Sequence, residues 1–266
     1  MGSNPTPATS HAQLCFAARM TDVLSAAVRN NAEWCALVCR THGIDSRFAA
    51  NVWRSLGPTP QYYPDAVTLT AQASAADVLP RRDPSGCSVK DSFATVDLGP
   101  EGFEQLFAAQ WIHRPASAPA PVAAPRVTRV STAAALAVWS TAWGSGDVFR
   151  PALLEEPDIA VLAFGEAQGN GDRVGEGDDG GRAGRSRGLR GGAVLNRAAG
   201  VVGVSNLFAA GPADAGAVWA GTVRAAGEIF PGVDLVGYEH GDDLGPALAA
   251  GFAGIGWLRV WAYSGS

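Results

Sequence analysis

Residues 233–261 read VDLVGYEHGDDLGPALAAGFAGIGWLRVW, and this stretch decides the fold. Val233 to Tyr238 is apolar and β-branched, which predicts a buried strand. Asp242 or Asp243 can cap the helix that follows, and Gly251 ends it. Leu258 to Tyr263 predicts a final strand.

Working backward, Ala213 to Phe230 has helical spacing and stops at Pro231-Gly232. Residues 192–198 and 200–208 (GVVGVSNLF) predict two strands joined as a hairpin. Residues 159–164 (IAVLAF) predict a buried strand, and Ser131-Thr132 can cap a helix through Trp143. A strand from Val127 to Val130 opens this part. The order is β-α-β-β-β-α-β-α-β, an α/β (α+β) domain with a mixed central sheet flanked by helices. Residues 165–192 are rich in Gly, Asp and Arg and predict a flexible loop. Their glycines are too irregular for a phosphate cradle.

Residues 115–125 (PASAPAPVAAP) form a Pro/Ala linker that divides residues 12–114 from 126–264. Residues 1–11 read as a disordered tail. Residues 12–42 have helical spacing, with a break expected at Asn30-Asn31 and a stop at His42-Gly43. Residues 48–64 predict a Pro-punctuated loop holding Trp53, Tyr62 and Tyr63. Val67 to Thr70 and residues 87–96 predict strands; alternation puts Lys90 and Asp91 on opposite faces. Pro100 to Trp111 predicts a helix opened by proline.

The net charge of −5 gives no field for a phosphate backbone, so nucleic acid is not an expected partner. No apolar run reaches the ~20 residues of a membrane span. The polar start lacks the features of a signal peptide, so a cytoplasmic location with reduced cysteines is expected. Lys90 is the only lysine in a chain rich in Arg, Ala and Gly, the bias of a high-GC, bacterial genome. Cys35, Cys39 and His42 share a helical face, but structural zinc takes four ligands, so no metal is expected. Hydrolase, metalloprotease, Walker and dinucleotide motifs are absent.

The strand, acidic turn, helix ending in Gly251-Phe252 and apolar last strand resemble the closing third of the GCN5-related N-acetyltransferase (GNAT) superfamily. Gly200 to Phe230 resembles that family's acyl-CoA-binding core. The resemblance covers about residues 126–264, and residues 12–114 read as a family-specific extension or a degenerate second half. It implies a CoA-dependent N-acyltransferase acting on a small amine, with acetyl-CoA or another acyl-CoA as co-substrate. A monomer or homodimer is expected. Two other readings stand beside it: a catalytically silent binding module, and an acyl-CoA enzyme with different chemistry such as decarboxylation. The family's phosphate loop corresponds to Gly211–Ala217 here, and Ala215, Gly216 and Ala217 are the expected backbone donors. Ala247 stands where the family's tyrosine acid is usual, and the strand 201–208 has no glutamate base.

The candidate catalytic residues are Glu239 and His240, at a strand's carboxyl end, and Asn206, which interrupts an apolar strand. Ser205, Leu207 and Gly211 join Ala215–Ala217 as the expected cofactor contacts. Trp53, Tyr62, Tyr63 and Lys90 are the expected substrate-side wall. Lys90 suits a substrate carboxylate or a CoA phosphate.

Overall fold

The computed structural model describes residues 11–265 apart from 122–123, 145 and 166–187; for residues 11–19 the backbone alone is described. Residues 1–10 of the expected tail and most of the expected Gly-rich loop lie outside the described residues, and His11 instead opens a helix. Gly191, placed in that loop by sequence, instead opens the strand expected from residue 192.

The N-terminal part begins with helix α1 (His11–Thr41), then strands β1 (Ser46–Phe48), β2 (Val52–Ser55) and β3 (Ala66–Thr68). Helix α2 (Ala75–Val78), strand β4 (Ser88–Asp91) and the long strand β5 (Phe103–Arg114) follow. The C-terminal part runs β6 (Val127–Arg129), α3 (Ala133–Trp143), β7 (Ile159–Phe164), β8 (Gly191–Ala198) and β9 (Val201–Ala209). It closes with α4 (Pro212–Ile229), β10 (Leu235–Glu239), α5 (Leu244–Ala249) and β11 (Ala253–Tyr263). This is the order expected from the sequence for residues 126–264. Thr132 caps α3, its side chain accepting from Ala135 N.

One mixed sheet carries both parts, in the order β1-β2-β3-β4-β11-β5-β10-β9-β8-β7-β6. The two parts exchange strands across the linker. β5 lies between β10 and β11 and is antiparallel to both, while β11 reaches back to pair with β4. The linker is pinned to this frame: Ala116 N donates to Asp234 Oδ1 (2.8 Å), and Arg114 holds the carbonyls of Ala118 and Pro119.

Three expectations are corrected. The helix expected from Pro100 to Trp111 is strand β5. The apolar positions 103, 106, 107 and 111 fit a helical face, but burial between two strands overrides that local preference. The loop expected over 48–64 contains β2, where Trp53 is fully buried. The break expected at Asn30-Asn31 is absent, because both amides have partners off the helix. Asn30 Nδ2 donates to the Asn196 carbonyl (2.9 Å), and Asn31 Oδ1 accepts from Lys90 (2.9 Å). A buried polar group so satisfied costs the helix little.

The seam between α1 and the sheet depends on a glycine. A Cβ at Gly203 would sit 2.5 Å from Asn196 Oδ1 and collide with Asn30 Oδ1. Gly203→Ala is therefore expected to destabilise by about 2 kcal/mol, about 4–8 °C in Tm, by overpacking. An unchanged melting temperature would show that α1 is not held against β9 in this way.

Candidate active site

β9 and β10 are parallel but pair at only two positions, Leu235 with Val202 and Val236 with Gly203. Beyond these the strands diverge. β9 is also bulged against β8, where the register shifts between Gly192 and Val194. Asn206 sits in the bulge with φ +52°, a left-handed backbone that asparagine tolerates better than most residues. A bulge re-aims side chains and ends pairing, and here it falls on the stretch of β9 past its last pair with β10, where an opening lies between the two strands.

A cavity of about 520 Å³ lies beside this opening. Val204, Ser205, Asn206 and Leu207 line it from β9, Tyr238 and Glu239 from β10, and His240 from just after β10. The N-terminal part supplies the facing wall with Tyr62, Tyr63 and Lys90. The structure thus brings together eight of the residues singled out by sequence: Ser205, Asn206, Leu207, Glu239, His240, Tyr62, Tyr63 and Lys90.

The polar groups in the cavity are fixed by neighbours. The Tyr63 hydroxyl donates to Asn206 Oδ1 (3.3 Å), which joins the two halves across the site. Burial, with the Cys35 thiol nearby, pushes the Tyr63 phenol well above its ordinary range, so it stays a hydrogen-bond donor. Lys90 Nζ donates to Asn31 Oδ1 (2.9 Å) and to the Tyr238 hydroxyl (3.0 Å), and lies 4.1 Å from the centre of the Tyr238 ring. His240 stacks on Phe107 with ring centres 4.6 Å apart. Burial, helped by the Asp243 carboxylate, raises Glu239 from 4.5 to about 8. A carboxylate shifted that far sits where a proton acceptor at neutral pH is useful.

Other expected site residues lie elsewhere. Trp53 is buried in the core with Trp34 and Tyr63 and does not line the cavity. Helix α4 begins at Pro212, one residue before the start expected at Ala213. The N–H groups of Ala215, Gly216 and Ala217 therefore fall within the helix ladder. The donors left open at this end are Gly211 and Ala213, since Asp214 N already donates to the Gly211 carbonyl. Gly216 lines a separate cavity of about 290 Å³ with Arg114, Pro119 and Pro246. Asp214 is paired with Arg190.

Sequence reasoning missed Asn31, Trp34 and Cys35 on α1, Leu106 and Phe107 on β5, and Trp143 on α3. Tyr62 meets Trp143 edge-on at 5.6 Å. The adjacent Asn30-Asn31 within an apolar helix was the available signal, since buried amides need partners. Cys35 and Cys39 are buried thiols pushed up to about 11 and about 12 by desolvation, and His42 Nε2 contacts the Val148 carbonyl. Among the described residues, no three His, Cys, Asp or Glu side chains are grouped to hold a metal. Nor does any described helix have the length and apolarity to cross a membrane.

No protein-family profile matches the sequence, and no curated relative does. Solved structures do match. A GCN5-related N-acetyltransferase from Kribbella flavida is 13% identical with a TM-score of 0.57, over 90% of this chain and 96% of that one. A functionally unknown conserved protein from Staphylococcus epidermidis is 8% identical with a TM-score of 0.55, over 82% of this chain and 92% of that one. At such identities the likeness is one of fold, and it extends across both halves, beyond the C-terminal part that carries the sequence resemblance. The chain therefore has a GNAT-like fold, a large mixed sheet flanked by helices, with the β9–β10 opening at its centre.

Proposed function

We propose that this protein is a CoA-dependent N-acyltransferase that moves a short acyl group to a small amine. The observation that carries the reading is the splay of β9 from β10 at the Asn206 bulge, with Glu239 beside it in a cavity. A splayed strand leaves backbone hydrogen-bonding groups unpaired by a neighbour, and these suit the amide-rich arm and thioester carbonyl of an acyl-CoA. The open donors at Gly211 and Ala213, at the positive end of an 18-residue helix, suit its pyrophosphate.

The residues divide the chemistry as follows. Ionised Glu239 takes a proton from the incoming ammonium. The free amine attacks the thioester carbon, a C–N bond forms, and the C–S bond breaks. The leaving sulfur takes the proton that the attacking nitrogen sheds, through water, because Ala247 is a buried methyl group and offers none. Most of the enzyme's share is orientation and backbone stabilisation of the oxyanion. The acyl chain is short because the aromatic walls enclose about 520 Å³, which must hold acceptor and acyl group together.

Acetyl-CoA titrated into the protein is expected to bind and to raise Tm. At 100 times its dissociation constant it stabilises by about 2.7 kcal/mol. Absence of binding by calorimetry at millimolar concentration removes this reading.

A further inference from the structure

Lys90 has an arrangement that acyl transfer alone does not explain. It is 3% exposed, yet it lines the cavity, as do Asn31 and Tyr238, the two partners of its ammonium. Two of its three protons go to neutral acceptors, Asn31 Oδ1 and the Tyr238 hydroxyl. Among the described residues no carboxylate lies within ion-pair distance of it. Its neighbour Asp91 faces the other side of β4, where its oxygens accept from Val96 N (2.9 Å) and Arg259 (3.4 Å). Glu239 lines the same cavity without pairing with it. Burying a charge is costly unless it is paired, so an ammonium held at a cavity wall without a counter-charge is a site for an anion.

The position narrows the anion. Lys90 comes from β4, on the wall built by the N-terminal part, facing Tyr238 and Glu239. The donors suited to the CoA pyrophosphate are at the start of α4, on the other part of the chain. The lining also carries five aromatic rings, Trp34, Tyr62, Tyr63, Phe107 and Trp143, with Leu106 and Val260 beside them.

We propose that the acceptor carries a carboxylate as well as its amine: an amino acid, or a compound built like one, with an apolar or aromatic side chain. The carboxylate sits at Lys90, the amine at Glu239, and the side chain against the rings. This rests on the acyl-transfer reading for the role of the amine, and the carboxylate site stands independently of turnover.

The test is calorimetric binding of the L-amino acids and their matching amides, with and without acetyl-CoA. For the acids that fit, such as phenylalanine, the acid is expected to bind at least tenfold tighter than its amide. Lys90→Met is expected to bring acid and amide to the same affinity. Asn31→Asp, which gives the ammonium a counter-charge of its own at unchanged side-chain size, is expected to do the same and to melt no lower than wild type. Both variants are expected to keep wild-type affinity for CoA. The proposal is overturned if no acid binds better than its amide, or if both variants keep the acid preference. It is also overturned if Lys90→Met weakens CoA as much as the acid, which would assign Lys90 to a CoA phosphate. Acids that bind through Lys90 but are never acetylated would uphold the carboxylate site and defeat the acyl-transfer reading.

Discussion

Cut at the Pro/Ala linker, the fragment 126–266 is expected to show no cooperative thermal transition. Both strand partners of β11 belong to the other part: β4 on one side, β5 on the other. β10 would keep only its two paired positions with β9. Leu258, Val260 and Trp261 would lose their covering, and Trp111 and Ile112 would be gone from the core. Each fully buried side chain of this size is worth about 1.5–3 kcal/mol, so the loss is as large as the whole ~5–15 kcal/mol by which a typical domain is stable. The measurement is calorimetry on the fragment alone and mixed with residues 1–121. Recovery of one transition on mixing is the expected result. A transition by the fragment alone, within a few degrees of the whole chain, would show that strand exchange is not what holds the C-terminal part together.

That exchange also explains what the sequence could and could not reveal. Each element from Val127 to Tyr263 carries its own signal: IAVLAF is a buried strand, Pro231-Gly232 a stop, Thr132 a cap. Such signals are local and survive any arrangement of the sheet. β5 carries no such signal. FEQLFAAQWIHR contains good helix formers at helical spacing, and it is a strand because two distant strands claim its edges. Trp53 failed for a similar reason: a Pro-punctuated stretch hid a short strand next to the sheet's edge.

The site divides in the same way. Asn206 was legible because a polar residue interrupts an apolar strand, and Glu239 because it ends one. Lys90 was legible as a lone lysine. Trp34 and Cys35 were not, since on α1 they belong to the same apolar stripe as the core, and only the sheet decides which of that stripe meets the cavity. The phosphate turn was placed too late in the chain because Pro212 opens the helix and its first open donors are Gly211 and Ala213.

Glu239→Gln is expected to lower kcat by about 10²–10⁴-fold and to remove a pH dependence from both rate and stability. For the rate, wild-type kcat/KM should rise with pH and level off above about 8, as Glu239 becomes ionised in the folded protein. The variant's residual rate should lack that rise. For stability the sign is opposite. Unfolded, this carboxyl ionises near 4.5; folded, near 8. Between these values the folded chain holds a proton that the unfolded chain has lost, so the group's contribution to stability falls as pH rises through the window. Below about 4.5 both states are protonated and the group contributes no difference. The variant should therefore melt with wild type at pH 4 and above it at pH 9, by up to about 5 kcal/mol, or about 10–20 °C. Melting curves at the two pH values separate the outcomes without any substrate. Equal offsets at pH 4 and pH 9 would show that Glu239 is not held protonated by its surroundings, and the proton acceptor would then have to be His240 or water.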